Sequence, residues 1–328
     1  MIRRILPQII TLGIVLALNV ILFPDFFNVT FQNGRLYGSI IDVLNRGAPV
    51  ALVAVGMTLV IATKGIDLSV GAVVAICGAV AAAAVTSGYP LLVTLALALG
   101  VGLICGVWNG VLVSILNIQP IIATLVLMVA GRGVAQLITE GAILTFNAPG
   151  LIFIGSGSAF GLPMPVVIWV LFGAAVALLA RRTALGLLIE AIGVNLRASR
   201  LSGVKTTALV VLVYALSGLC AAIAGLIVAA DIKGADANNA GLWLELDAIL
   251  AVVVGGNSLL GGRFSILGSL LGAMIIQAIN TGILTSGFPP EYNLIIKAGL
   301  IVIILIVQSP RLADLAALVR TRKSETRG

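Results

Sequence analysis

The 328-residue chain contains no histidine, and charged residues make up 9% of it, where a soluble domain carries roughly 25%. The missing histidine excludes His-containing catalytic triads, HExxH zinc sites and imidazole proton relays. The scarcity of charge excludes soluble enzymes and nucleic-acid-binding domains, because a soluble surface of this extent could not be covered. Cysteine is rare too: Cys77, Cys105 and Cys220 stand singly in apolar runs with no CxxC pair. No disulfide or metal role follows, and the three read as small buried hydrophobes. A nucleotide loop is also lacking. Gly256 and Gly261 have phosphate-loop spacing, but Gly262 stands where the lysine belongs, and segment 155–160 lacks the third glycine of a dinucleotide loop.

What the chain does have is apolar length. Apolar residues make up 60%, and no charge falls between Arg4 and Asp25 (20 residues), Asp67 and Arg132 (64), Glu140 and Arg181 (40), Lys205 and Asp231 (25) or Arg263 and Glu291 (27). A membrane crossing takes about 20 apolar residues, since ~30 Å of hydrocarbon is covered at ~1.5 Å per residue. The pattern predicts an all-α polytopic membrane protein with about ten transmembrane helices, some of them broken or half-spans. The expected spans are 6–23, 47–63, 70–86, 91–116, 121–137, 164–180, 206–230, the interrupted 248–262, 265–283 and 293–307. A short helix is expected within the polar loop 139–163. The first run reads as a retained span, because no small-residue cleavage site precedes Pro24 and Asp25.

Net charge is +7, and 12 of the 19 cations fall before the first span, in loop 181–205 and in the tail 311–328. Lys and Arg near span ends are held on the cytoplasmic side. Six spans before the basic loop and four after it put all three basic segments on one face. Both termini are therefore expected in the cytoplasm, with a single transmembrane domain over 1–310 and a cytoplasmic basic tail over 311–328. The 38 glycines, dense around 100–110, suit close helix packing in lipid. A faint echo links 64–72 to 262–269, each a small polar interruption before a span rich in small residues. Paired interruptions of this kind mark substrate paths in transporters.

Three polar features stand out. Asp67, in a break between apolar runs, is either a functional intramembrane carboxylate or part of a helix cap, and the two roles are compatible. Glu245 and Asp247 line an external mouth or a solvated loop. Loop 181–205 holds a short amphipathic helix with Leu187, Leu188, Ile192 and Leu196 at 3–4 spacing, which lies on the membrane or docks on a partner.

That loop, together with 64–71, 255–263 and the stretches 33–38, 130–139, 146–149 and 230–250, resembles the permease subunits of ribose-type ABC sugar importers, in particular their galactofuranose branch. The resemblance runs over about 32–308. It implies a multi-pass subunit of the bacterial inner membrane that is not itself an enzyme and binds no cofactor, ATP-Mg being held by a separate cytoplasmic ABC ATPase. The further partners it implies are a second permease chain, a different one by the galactofuranose likeness, and a periplasmic sugar-binding protein. Lipid surrounds the subunit and nucleic acid has no part. The implied cargo is a monosaccharide, galactofuranose first, with ribose, xylose or another pentose or hexose as the alternative.

The resemblance also makes loop 181–205 the ATPase-coupling element, with Gly186, Glu190, Ala191, Gly193, Asn195 and Arg197 its candidate residues; the importer motif is only partly echoed by 190–193. A neutral sugar needs hydroxyl and amide partners more than charge, so the candidate path residues are Asp67, Ser69, Asn109, Thr124, Asn147, Asn257 and Ser258. Two rivals are weaker on the same residues. An ion-coupled secondary transporter wants intramembrane acids that are scarce here, and an intramembrane enzyme wants a nucleophile–base pair or a metal set.

Overall fold

A computed structural model describes residues 2–32, 34–287 and 290–307, so the expected basic tail 311–328 lies outside the described residues. The helices in chain order are α1 (Ile2–Leu22), α2 (Ser39–Arg46), α3 (Ala48–Ala62), α4 (Val70–Thr86), α5 (Leu91–Ser114), α6 (Pro120–Ile138) and α7 (Pro149–Ser156). They continue with α8 (Met164–Arg182), α9 (Ala184–Val194), α10 (Leu196–Leu201), α11 (Thr206–Asp231), α12 (Leu244–Val254), α13 (Ile266–Thr285) and α14 (Pro290–Val307). Proline starts many of them: Pro49, Pro120, Pro149 and Pro165 occupy the first two helical positions of α3, α6, α7 and α8. There the missing N–H costs nothing and the fixed φ favours the first turn.

The chain is mostly helical but not purely so. Three two-stranded antiparallel ladders close its polar loops, pairing Thr30–Gln32 with Arg35–Tyr37, Leu144–Thr145 with Gly234–Ala235, and Ser158–Ala159 with Leu162–Pro163. The short helix expected in 139–163 is α7, the fourth span stops at Ser114, and loop 181–205 divides into α9 and α10.

Among the described residues, six helices are long and apolar enough to cross a membrane (α1, α5, α6, α8, α11 and α13), and the α2–α3 pair, bent by 42°, makes a seventh. By length alone α4, at 17 residues, and α12, at 11, fall short of the ~30 Å hydrocarbon. Among the helices of spanning length two are the most buried: 72% of the residues in the apolar window of α11 and 78% in α13, against 17% in α1 and 22% in α5 and α6. Helix α3 is buried on all sides apart from Pro49, as expected of a helix apolar all round.

Close approach of α5 to α11 depends on glycine. Gly102, Gly106 and Gly110 of α5 face α11, and added Cβ atoms would lie 2.5 Å from Ala222 Cβ, 2.3 Å from the Tyr214 carbonyl and 2.7 Å from Val211 Cα. None of these distances admits a side chain, so the four-residue glycine spacing sets how near the two backbones come.

Candidate translocation site

The bundle is interrupted twice. Between α3 and α4 the chain leaves the helix at Thr63, and Lys64 takes a left-handed conformation (φ 66°). Between α12 and α13 it breaks at Gly255, with Gly256, Gly261 and Gly262 all at positive φ. The two breaks touch: the Gly262 amide donates to the Ala62 carbonyl at 2.9 Å. The segments that echo each other in sequence are therefore neighbours in space.

The first break holds a buried polar node. Asp67 is 1% exposed. One carboxylate oxygen accepts from the Ser69 amide at 3.1 Å and the Ser69 hydroxyl at 2.6 Å, and the other accepts from the Ser217 hydroxyl of α11 at 2.9 Å. Asn109 of α5 donates its amide to Ser69 Oγ at 2.8 Å, while Thr124 Oγ1 of α6 accepts the Leu68 amide at 3.1 Å. Three helices, α5, α6 and α11, are thus tied to one loop. Of the expected path residues, Asp67, Ser69, Asn109 and Thr124 come together here. Asp67 binds the amide of Ser69, the residue that opens α4, and also bridges to α11. Asn109 Oδ1 and Tyr214 Oη are buried beside the loop without a hydrogen-bond partner.

The second break has its own node. Asn257 receives the Ser265 amide at 2.6 Å and donates to Ser269 Oγ at 2.9 Å, and the Thr58 hydroxyl of α3 lies 2.6 Å from that same oxygen. Ser258, expected alongside it, is exposed, and its hydroxyl oxygen accepts the Leu260 amide at 3.1 Å. Asn147 is likewise exposed, in the loop before α7, and belongs to neither node. Ser217, Tyr214, Thr58 and Ser269 were missed in the sequence, because a lone hydroxyl in an apolar helix ordinarily bonds back to its own backbone.

Helix α9 reaches the point where the breaks meet. A Cβ on Gly193 would lie 1.9 Å from the Ala62 carbonyl oxygen and 2.4 Å from the Gly262 amide, and Lys64 donates its ammonium to the Val194 carbonyl at 3.2 Å. A cation at a helix C-terminus is favourably placed against the macrodipole. Thr183 caps α9 by accepting the Leu185 amide at 3.2 Å, and Asn195 caps α10 by accepting the Ala198 amide at 3.0 Å. The expected apolar stripe is split between two faces. Ile189 and Ile192 pack onto the bundle, whereas Leu187, Val194, Leu196 and Leu201 are exposed with Arg197. Gly186 is buried, and Glu190 and Ala191 are half-buried. A cavity of about 240 Å³ lies between this loop and the first break, walled by Thr63, Gly65, Ile192, Arg200 and Tyr214.

At the other end of the bundle α6 pins the loop before α12. Arg132 donates to the Ala237 and Ala240 carbonyls at 3.0 and 2.6 Å, and Gln136 to Asn238 Oδ1 at 2.8 Å. Asp236 in this loop is held below the usual carboxylate range, first by the side-chain hydrogen bond from Asn239. Glu245 is buried against α4, where a Cβ on Gly71 would meet its carboxylate at 2.3 Å. Asp247 pairs instead with Lys297 of α14.

Apolar helices gathered around two touching, hydroxyl- and amide-lined breaks make the architecture of an integral membrane transport protein. Residues 39–305 match the family model described as "Branched-chain amino acid transport system / permease component", and the chain belongs to that permease family. It is 62% identical over 317 residues to the galactofuranose transporter permease protein of Escherichia coli, covering 97% of this chain and 93% of that one. It is 40% identical over 335 residues to the fructose import permease protein of Bifidobacterium longum (98% and 94% covered) and 39% over 308 residues to the ribose import permease protein of E. coli (93% and 93%). No solved structure matches the chain. The chain is a transport permease and not an enzyme.

Proposed function

We propose that this chain is the membrane-spanning permease of an ATP-driven ABC importer that carries a monosaccharide, galactofuranose before ribose or fructose, across the bacterial inner membrane. The observation that carries the reading is the 62% identity to a galactofuranose transporter permease across nearly the whole chain. The node chemistry supports a neutral polyol over the amino acid in the family's description. Around Asp67 stand hydroxyls and an amide with no cation among them, and an amino acid's carboxylate would want a positive partner.

In this reading the broken and short helices complete ten crossings of a single domain, both termini and the tail 311–328 are cytoplasmic, and the chain itself binds no cofactor. The sugar passes the Asp67 and Asn257 nodes after delivery by a periplasmic binding protein, and a second permease completes the path. A cytoplasmic ATPase docks on the exposed apolar face of α9 and α10. Its motion reaches the breaks through Gly193, which packs against both, and through Lys64 of the first break, which bonds to the end of α9. Purification of the tagged chain from its native membrane tests the assembly: an ATPase, a second permease and a sugar-binding protein should come with it, and Glu190→Arg should deplete the ATPase. Recovery of the chain alone in mild detergent, or undiminished ATPase with Glu190→Arg, contradicts it.

A further inference from the structure

A second polar cavity lies at the end of the bundle opposite the basic loop. It has a volume of about 330 Å³ and is walled by α2, α11 and α13, within the ~300–1,000 Å³ of small-molecule sites. Asp231, at its rim, follows Ser217 by fourteen residues along α11, about 21 Å. The cavity is therefore separate from the Asp67 node. Its polar wall consists of Asn45, Arg46, Asp231, Gln277 and Asn280. The Oδ1 atoms of Asn45 and Asn280 are both shielded from solvent and accept no hydrogen bond. Buried amide groups in folded proteins are satisfied as a rule, and a side-chain rotation that turns either oxygen into the cavity would let it accept from a donor outside the chain.

The composition of the wall narrows what that donor is. Arg46 and Asp231 bring one charge of each sign, so the site has no preference for an ion of either sign. Carboxamides both donate and accept, as sugar hydroxyls do, and Ile227 gives the wall an apolar patch for a ring face. We propose that this cavity is a binding subsite for a neutral monosaccharide, occupied before the sugar reaches the helix breaks. The inference rests on the sugar-import reading above and adds a site to it.

The test uses the assembled transporter in proteoliposomes, its permease carrying Cys77, Cys105 and Cys220 replaced by alanine and a single reporter, Leu284→Cys, on the cavity wall. A membrane-impermeant thiol reagent is added outside with D-galactose, whose solution equilibrium includes furanose forms, or with D-ribose. Sugar should slow labelling at Leu284→Cys at least threefold and leave labelling at the fully exposed Phe160→Cys unchanged. Equal labelling with and without sugar, in vesicles that import the sugar, overturns the subsite and leaves water as its occupant. Vesicles of the natural transporter that import no sugar overturn the sugar reading, and this subsite with it. In the otherwise natural chain, Asn45→Ala should raise the half-saturating sugar concentration for uptake about tenfold, the equivalent of ~1.4 kcal/mol, and an unchanged value overturns the proposal.

Discussion

Asp67→Ala is the substitution whose cost the structure defines most closely. The carboxylate accepts three hydrogen bonds at 3.1, 2.6 and 2.9 Å inside the bundle. Truncation strands three donors, but not equally. The Ser217 hydroxyl can turn to the carbonyl one helical turn back, as Thr58 already does to Ala54 at 2.6 Å. The Ser69 oxygen keeps the Asn109 amide at 2.8 Å. The Ser69 amide has no such alternative, and a buried unpaired N–H costs ~1–3 kcal/mol. With ~1 kcal/mol for the two weakened hydroxyl bonds, and some relief from removing a buried charge, the net loss is about 2–3 kcal/mol. At ~2 °C per kcal/mol for a long chain, the apparent melting midpoint of the purified transporter should fall by about 5 °C. Asp67→Asn keeps the volume and one acceptor oxygen, so it should fall by less than half as much. ATP-driven uptake should drop about tenfold or more in both, a change of ~1.4 kcal/mol in the barrier. A melting midpoint and an uptake rate unchanged in Asp67→Ala would refute the account of this node.

Gly193→Ala puts a methyl against two backbone groups, 1.9 and 2.4 Å away. The junction must open at ~1–3 kcal/mol, and sugar moved per ATP hydrolysed should fall while the ATPase still copurifies; an unchanged ratio contradicts the coupling route. Gly106→Leu should separate α5 from α11, where the Cβ position is 2.3 Å from the Tyr214 carbonyl, and the product should elute as aggregate in size-exclusion chromatography. Lys297→Ala leaves Asp247 without its partner in a pair only 12% and 17% exposed. It should cost ~2 kcal/mol or more, and the Lys297→Ala/Asp247→Ala double variant should regain at least half of the lost thermal midpoint.

The helical bundle was legible because apolar runs of span length have few alternatives, and prolines at 49, 120, 149 and 165 mark helix starts. Asp67, Ser69, Asn109 and Thr124 were legible for the same reason: polar groups inside such runs must find partners, and here they find one another. The partners supplied by α11 were not. Ser217 and Tyr214 are single polar residues whose meaning depends on a crossing that no local pattern encodes. Asn147 and Ser258 fall outside both nodes, because adjacency to a helix break places a residue at a buried node or on the surface with the same sequence signal. Asn45, Gln277 and Asn280 carried a weaker signal, single amides within α2 and α13, that becomes a site only when α2, α11 and α13 are brought together. The split of the α9 stripe, Ile192 inward and Leu187 outward, likewise depends on how Gly193 seats that helix on the breaks.

The central claim is that this permease conducts sugar only under the drive of a separate ATPase. The most direct measurement is accumulation of radiolabelled galactose, with ribose in parallel, in proteoliposomes holding the purified permease with and without its copurified partners. Uphill accumulation should require the ATPase, ATP and the binding protein together, and should vanish when any one is withheld. Uphill accumulation by the permease alone, driven by a proton or sodium gradient, would contradict the account.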